Sequence, residues 1–148
     1  MNTFESVMDG ASLDQRVSQL REVMVQMKRV VVGRPNDEPI DAVGHTFSVH
    51  EWRGSGPPTL HVHHEDDEAW HVLEGTLDFR FQDGHEVAAA GTTVFVPAGV
   101  AHAYIATDDA RYLIVLTERL RALIDELHTV PIGEHAAVFR RYSSELLE

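Results

Sequence analysis

The chain has 148 residues, 43% hydrophobic and 24% charged, the size and texture of one globular domain. Twelve basic against 24 acidic residues leave a net charge of −12 with no Lys/Arg cluster, which argues against nucleic acid and anionic membrane surfaces as partners. There is no cysteine to form a disulfide or a thiolate ligand; no apolar run reaches the ~20 residues of a transmembrane helix, and the opening MNTFESVMDG lacks the pattern of a signal peptide, so the expected location is the cytoplasm.

Residues 1–10 are polar and expected to be loose. Ser12 followed by Gln15 reads as a capping box. Leu13, Val17, Leu20, Met24, Met27 and Val31 then step by four and three, an apolar stripe on one helix face. That helix either lies on the domain or forms a short dimerisation seam. Val30–Val32 are β-branched and suit a lead-in strand before Gly33-Arg34-Pro35. Residues 1–39 are therefore expected to form a helical extension with a lead-in strand.

From 40 to 116 short apolar runs alternate with Gly, Pro, Asp and Asn. The runs are Thr46–Trp52, Thr59–His63, Glu68–Leu73, Thr76–Gln82, Thr93–Val96, His102–Ala106 and Tyr112–Leu116. Leu77, Phe79 and Phe81 alternate with Asp78, Arg80 and Gln82, the period of a half-buried strand, and Asp83-Gly84 is a hairpin signal. Many short strands at regular spacing predict an antiparallel sandwich or barrel. Over 117–148 helix returns: Thr117 can cap, and Leu120, Leu123, Ile124 and Leu127 make an apolar stripe. After the break at Pro131 and Gly133 comes a shorter helical pattern, His135–Tyr142. These helices are expected to cover the outside of the barrel, within one domain overall.

Ten residues are histidine, and three fall at 61, 63 and 64. Residues i and i+2 of a strand project from one face, so His61 and His63 can aim two imidazoles at one point. Glu68 opens the next apolar run, an odd place for a solvated charge unless a cation partners it. His102 leaves the Pro97-Ala-Gly99 turn with a defined direction. Three imidazoles and one carboxylate suit a divalent Fe, Mn, Co, Ni, Cu or Zn ion. On an octahedral ion they leave two positions for substrate, water or dioxygen.

The two segments resemble the paired motifs of the cupin superfamily, in particular its small bacterial, quercetin-dioxygenase-like members. His61, His63, Glu68 and Gly75 match the first motif, and Gly91, Pro97, Gly99 and His102 the second, with residues 76–90 between. The likeness covers about residues 40–116. Two positions depart from it: Gly56 is one residue too close to His61 (and Gly54 one too far), and Ala106 stands where the family often has Asn. The resemblance implies a mainly β fold, a double-stranded β-helix or jelly-roll barrel, flanked here by N- and C-terminal helices. It implies a homodimer and one divalent transition-metal ion on His61, His63, Glu68 and His102.

Counting faces from Glu68 and His102 makes Trp70 and Tyr104 candidates for the pocket wall, with Phe79 a third. Glu68, and Tyr104 if it reaches the site, are the candidate catalytic groups. His64, His71 and the run Glu65-Asp66-Asp67 read as solvated, and His45, His50, His85, His128 and His135 as surface or satisfied histidines. No nucleophile elbow, phosphate loop or dinucleotide fingerprint is present. The expected function is a metal-dependent dioxygenase acting on a small oxygenated organic molecule. The alternatives are a non-redox isomerase or lyase on a sugar-like or keto-acid substrate, and a non-catalytic small-molecule-binding module.

Overall fold

A computed structural model of the chain describes residues 12–27 and 29–148, with the side chains of 23–27 excepted. The expectations for residues 1–10, Met24 and Met27 lie outside the described residues. The chain divides into two compact units, one ending at Val32 and the other running Gly33–Glu148.

In the first unit, helix α1 spans Leu13–Met27. Its capping box forms as the sequence predicts: Ser12 N–H donates to Gln15 Oε1 at 2.8 Å and Gln15 N–H to Ser12 Oγ at 3.3 Å. Leu13, Val17 and Leu20 of its stripe are exposed. No strand forms at Val30–Val32, all exposed. β-branched residues favour extended backbone, but a strand exists only where a neighbour takes its hydrogen bonds.

The second unit holds two antiparallel five-stranded sheets. The strands are β1 (Asp41–Val43), β2 (Phe47–Arg53), β3 (His61–His63), β4 (Glu68–Glu74), β5 (Thr76–Phe81), β6 (Gly84–Ala89), β7 (Thr93–Val96), β8 (His102–Ala106), β9 (Arg111–Thr117) and β10 (Ser144–Leu146). One sheet runs β1-β2-β9-β4-β7 and the other β10-β3-β8-β5-β6. Helices α2 (Glu118–Leu127) and α3 (His135–Arg141) lie between β9 and β10 in the chain. Among the described residues no helix is long and apolar enough to cross a membrane.

Alternation drives this arrangement. In β9 the inward residues Tyr112, Ile114 and Leu116 are buried, and in β5 Leu77 and Phe79 are buried while Asp78 and Arg80 face water. These side chains join Trp70, Val72 and Val96 in one core between the sheets. Each such burial contributes about 1.5–3 kcal/mol. The β5–β6 hairpin turns at Gln82-Asp83, with Phe81 opposite Gly84, one residue earlier than the Asp-Gly pair suggested.

Two expectations are revised. The run Glu65-Asp66-Asp67 is not simply a solvated turn: Asp66 is buried, where it accepts from Thr117 Oγ1 at 2.9 Å and from Arg119 at 3.3 Å. Thr117 also caps α2 by accepting from Leu120 N–H at 3.2 Å, so one turn carboxylate anchors a helix N-terminus. Nor do the C-terminal helices merely cover the outside of the barrel. Leu120, Leu123, Ile124 and Leu127 of α2 and Phe139 of α3 line a cavity that reaches the barrel interior.

Candidate metal centre

His61 and His63 project from one face of β3, and His102, opening β8, lies directly opposite His61 in the antiparallel register. The second motif is locked to the first by its turn. Gly99, at φ +89°, adopts a left-handed conformation that side chains resist, and its N–H donates to His63 O at 2.7 Å. Glu68 arrives from the other sheet, at the start of β4 opposite Val96. The two sheets thus bring three imidazoles and a carboxylate to one point.

All four side chains are buried. One nitrogen from each of His61, His63 and His102 lies within 4.8 Å of the other two, a span that one ion can bridge. Glu68 Oε2 stands 3.1 Å from His102 Nε2 and 3.4 Å from His63 Nε2.

The outward nitrogens define the tautomers. His61 Nδ1–H donates to Thr59 O at 2.9 Å and His102 Nδ1–H to Val100 O at 2.9 Å. His63 Nδ1 is 2.7 Å from Ser144 Oγ, whose own proton goes to Tyr142 O at 3.0 Å. Ser144 therefore accepts, and His63 too carries its proton on Nδ1. Each Nε2 is left as a lone-pair donor to the common point. The 3.1 Å contact between His102 Nε2 and Glu68 Oε2 then holds a positive charge, either a second imidazole proton in a salt bridge or a metal ion.

Burial, with the neighbouring His102 and His63, lowers the His61 pKa to about 3, so this imidazole is neutral at physiological pH. Burial alone would raise the Glu68 pKa, but the hydrogen-bonding contacts with His102 and His63 outweigh it and hold the carboxyl at about 2. Imidazole nitrogens plus a carboxylate, oriented by hydrogen bonds behind them, fit a divalent transition ion.

The cavity above this group has a volume of about 750 Å³. His61, His63 and Glu68 contribute to its lining, while His102 lies beneath it, fully buried against Trp70. Trp70 and Tyr104 line the cavity, as the strand alternation predicts. Phe79 does not: it sits one layer out, fully buried against Trp70, Phe81 and Tyr104. Burial, then Tyr112 and the Glu68 charge, hold the Tyr104 phenol well above the ordinary tyrosine value, so it stays neutral.

Of the remaining histidines, His128 and His135 also line the cavity, while His45 and His85 are exposed. His64 is exposed and 3.5 Å from Glu145, and His71 Nδ1 meets Thr93 Oγ1 at 2.8 Å outside the barrel. His50 is buried and satisfied, with Nδ1 2.5 Å from Asp41 Oδ1 and Nε2 2.8 Å from Ser48 Oγ. Three contributors to the site escaped the sequence reading: Ser144, Phe139, whose ring lies 5.5 Å from His61 and 6.3 Å from His63, and the strand β10 that pairs with β3. A lone serine after a helix carries no signal of its own. The helical pattern of His135–Tyr142 covered Phe139, but gave no sign of what it packs against.

Residues 48–117 match the model of the cupin domain. No curated protein sequence matches the chain. Similar solved structures include a protein from Neisseria meningitidis, 18% identical over 74% of this chain and 100% of its own, TM-score 0.44. Another is described as a putative mannose-6-phosphate isomerase from Ralstonia eutropha, 21% identical over 61% of this chain and 92% of its own, TM-score 0.45. A third is a polyketide cyclase from Streptomyces resistomycificus, 26% identical over 49% of this chain and 54% of its own, TM-score 0.41. With both motifs in the barrel, their histidines converging and the family match spanning the same strands, residues 48–117 form a cupin domain.

Proposed function

We propose that this barrel is a metal-dependent oxygenase that holds one divalent transition ion on His61, His63, His102 and Glu68 and acts on a small, largely apolar, oxygenated organic molecule. The observation that carries the reading is the convergence of the His61, His63 and His102 nitrogens within 4.8 Å of one another, with Glu68 Oε2 3.1 Å from His102, beside a cavity of about 750 Å³. That volume suits a ligand of one to three rings. Bound there, a divalent ion would supply Lewis acidity toward an anionic substrate oxygen and, if redox-active, activation of dioxygen. With three neutral imidazoles and one carboxylate the centre carries about +1, which favours such an oxygen.

The chain's own residues would do the rest. Glu68 is an ionised carboxylate at the reacting end and could accept a substrate proton if it leaves the ion. Trp70, Ile114, Leu120, Leu123 and Phe139 exclude water from the bound substrate.

The test is elemental analysis of untagged protein beside His102→Ala, followed by oxygen-uptake assays of Fe-, Mn-, Ni- and Co-loaded protein on a β-diketone and flavonol panel. The expected result is one transition ion per chain, lost in the variant, with oxygen consumed under at least one metal. A bound metal with turnover supported by zinc and no oxygen uptake would overturn the oxygenase and favour isomerase or lyase chemistry. Absence of metal even after reconstitution would sink the metal reading itself.

A further inference from the structure

The cavity has a second polar feature, away from the histidines. Tyr112 Oη donates to Gly54 O at 2.7 Å. A phenol has one proton, so in the 2.8 Å contact between the two hydroxyls it is Tyr104 that donates to Tyr112. Both protons are thereby committed away from the cavity, and what the pair can still offer is lone pairs. Both residues line the cavity. The neighbouring Trp70 indole N–H acts on the Tyr104 hydroxyl, where it offsets part of the rise in that phenol's pKa, although it makes no hydrogen bond of ordinary geometry.

The arrangement is held by the loop that crosses it. Gly54 supplies the terminal acceptor, and Gly56 lies so close on Tyr104 that a Cβ there would stand 2.3 Å from the ring. Tyr104 also follows His102 by two residues on β8, so the two share a face about 6–7 Å apart. That is roughly the span of one aromatic ring. The cavity walls are apolar at Ile114 and Leu123, with Ser55 of the crossing loop and Trp70 also among the lining residues.

We propose that the Tyr104–Tyr112 relay is a specificity element, selecting ligands that carry a hydroxyl or amine donor about one ring's width from their metal-binding oxygens. The inference rests on the metal reading above. A ligand with only an acceptor at that position, such as an ether, would face committed phenol protons and lone pairs and gain no bond from the tyrosine pair.

The test uses zinc-loaded protein and benzohydroxamates, whose hydroxamate binds the metal and whose para group reaches toward Tyr104. Dissociation constants are measured calorimetrically for para-hydroxy, para-amino, para-methyl and para-methoxy compounds. The expected result is that the two donors bind about tenfold tighter than the methyl compound. In Tyr104→Phe that preference falls below about threefold. In Tyr112→Phe the Tyr104 proton is released toward the cavity, and the methoxy compound gains affinity. Equal affinity across the series in the wild type, or a donor preference that survives Tyr104→Phe, would overturn the relay while leaving the metal reading standing. If no compound binds although zinc is present, the relay falls and the cavity is not a substrate site. If zinc itself does not bind, the metal reading falls and takes the relay with it.

Discussion

Ser144 shows how much of the centre depends on a group that touches no ligand position. Its hydroxyl hands a proton to Tyr142 O and accepts one from His63 Nδ1, so it selects the tautomer that aims Nε2 inward. Ser144→Ala leaves a buried N–H without its acceptor. We expect metal affinity to fall roughly 10–100-fold, the usual cost of losing such a partner, and stability to fall by about 1 kcal/mol. Ser144→Thr, which keeps the hydroxyl, should retain most of both. Titration against a competing chelator reads the first effect and urea unfolding the second. Metal affinity equal to wild type in the alanine variant would refute the role given to the hydroxyl.

At the scale of elements, the C-terminal strand β10 straps the edge of β3, with Ser144, Glu145 and Leu146 opposite His63, Val62 and His61. The strap is fastened past its end. Glu148 takes a bidentate pair from Arg80, at 2.5 and 2.9 Å, and accepts from Leu60 N–H at 3.2 Å. The Arg80 hydrogen bonds, with that of Leu60 N–H, lower the Glu148 pKa from 4.5 to about 2. A depressed carboxyl stabilises the fold above its unfolded pKa, and the contribution disappears as pH falls through its folded value. The melting-temperature gap between wild type and Glu148→Gln should therefore be constant from pH 7 to 5 and close between about 4.5 and 2. Both side chains are half exposed, so the gap should also shrink in high salt. A gap as wide at pH 2 as at pH 7 would rule this coupling out.

For the whole molecule, the barrel and its C-terminal cover form one unit whose interior holds the candidate centre, so ion binding and folding are linked. A ligand at 100 times its dissociation constant adds about 2.7 kcal/mol, and for a domain of this size that is about 5–10 °C in melting temperature. We expect such a shift with the native metal in wild type and none in His102→Ala, read by differential scanning calorimetry; equal shifts in both would place the ion elsewhere. The capping box at Ser12, the alternation of β5 and β9, and the histidines at 61, 63 and 102 with Glu68 were legible because each is written within a few residues or in turns that aim a side chain. β1, β6 and β10 were not legible: β1 and β10 are three residues long without a motif, β6 is exposed along most of its length, and all three exist through their partners. Phe79 shows the limit within a strand: parity says which side chains point inward, but not which of them reach the cavity. The sequence by itself marked strands β2 to β5 and β7 to β9 and the four residues of the candidate centre, because covalent spacing sets the direction of nearby side chains. Only the tertiary structure decided that the C-terminal segment supplies Ser144, Phe139 and the cavity wall. An apolar stripe states that a face must be buried; the long-range packing that contacts it chooses where.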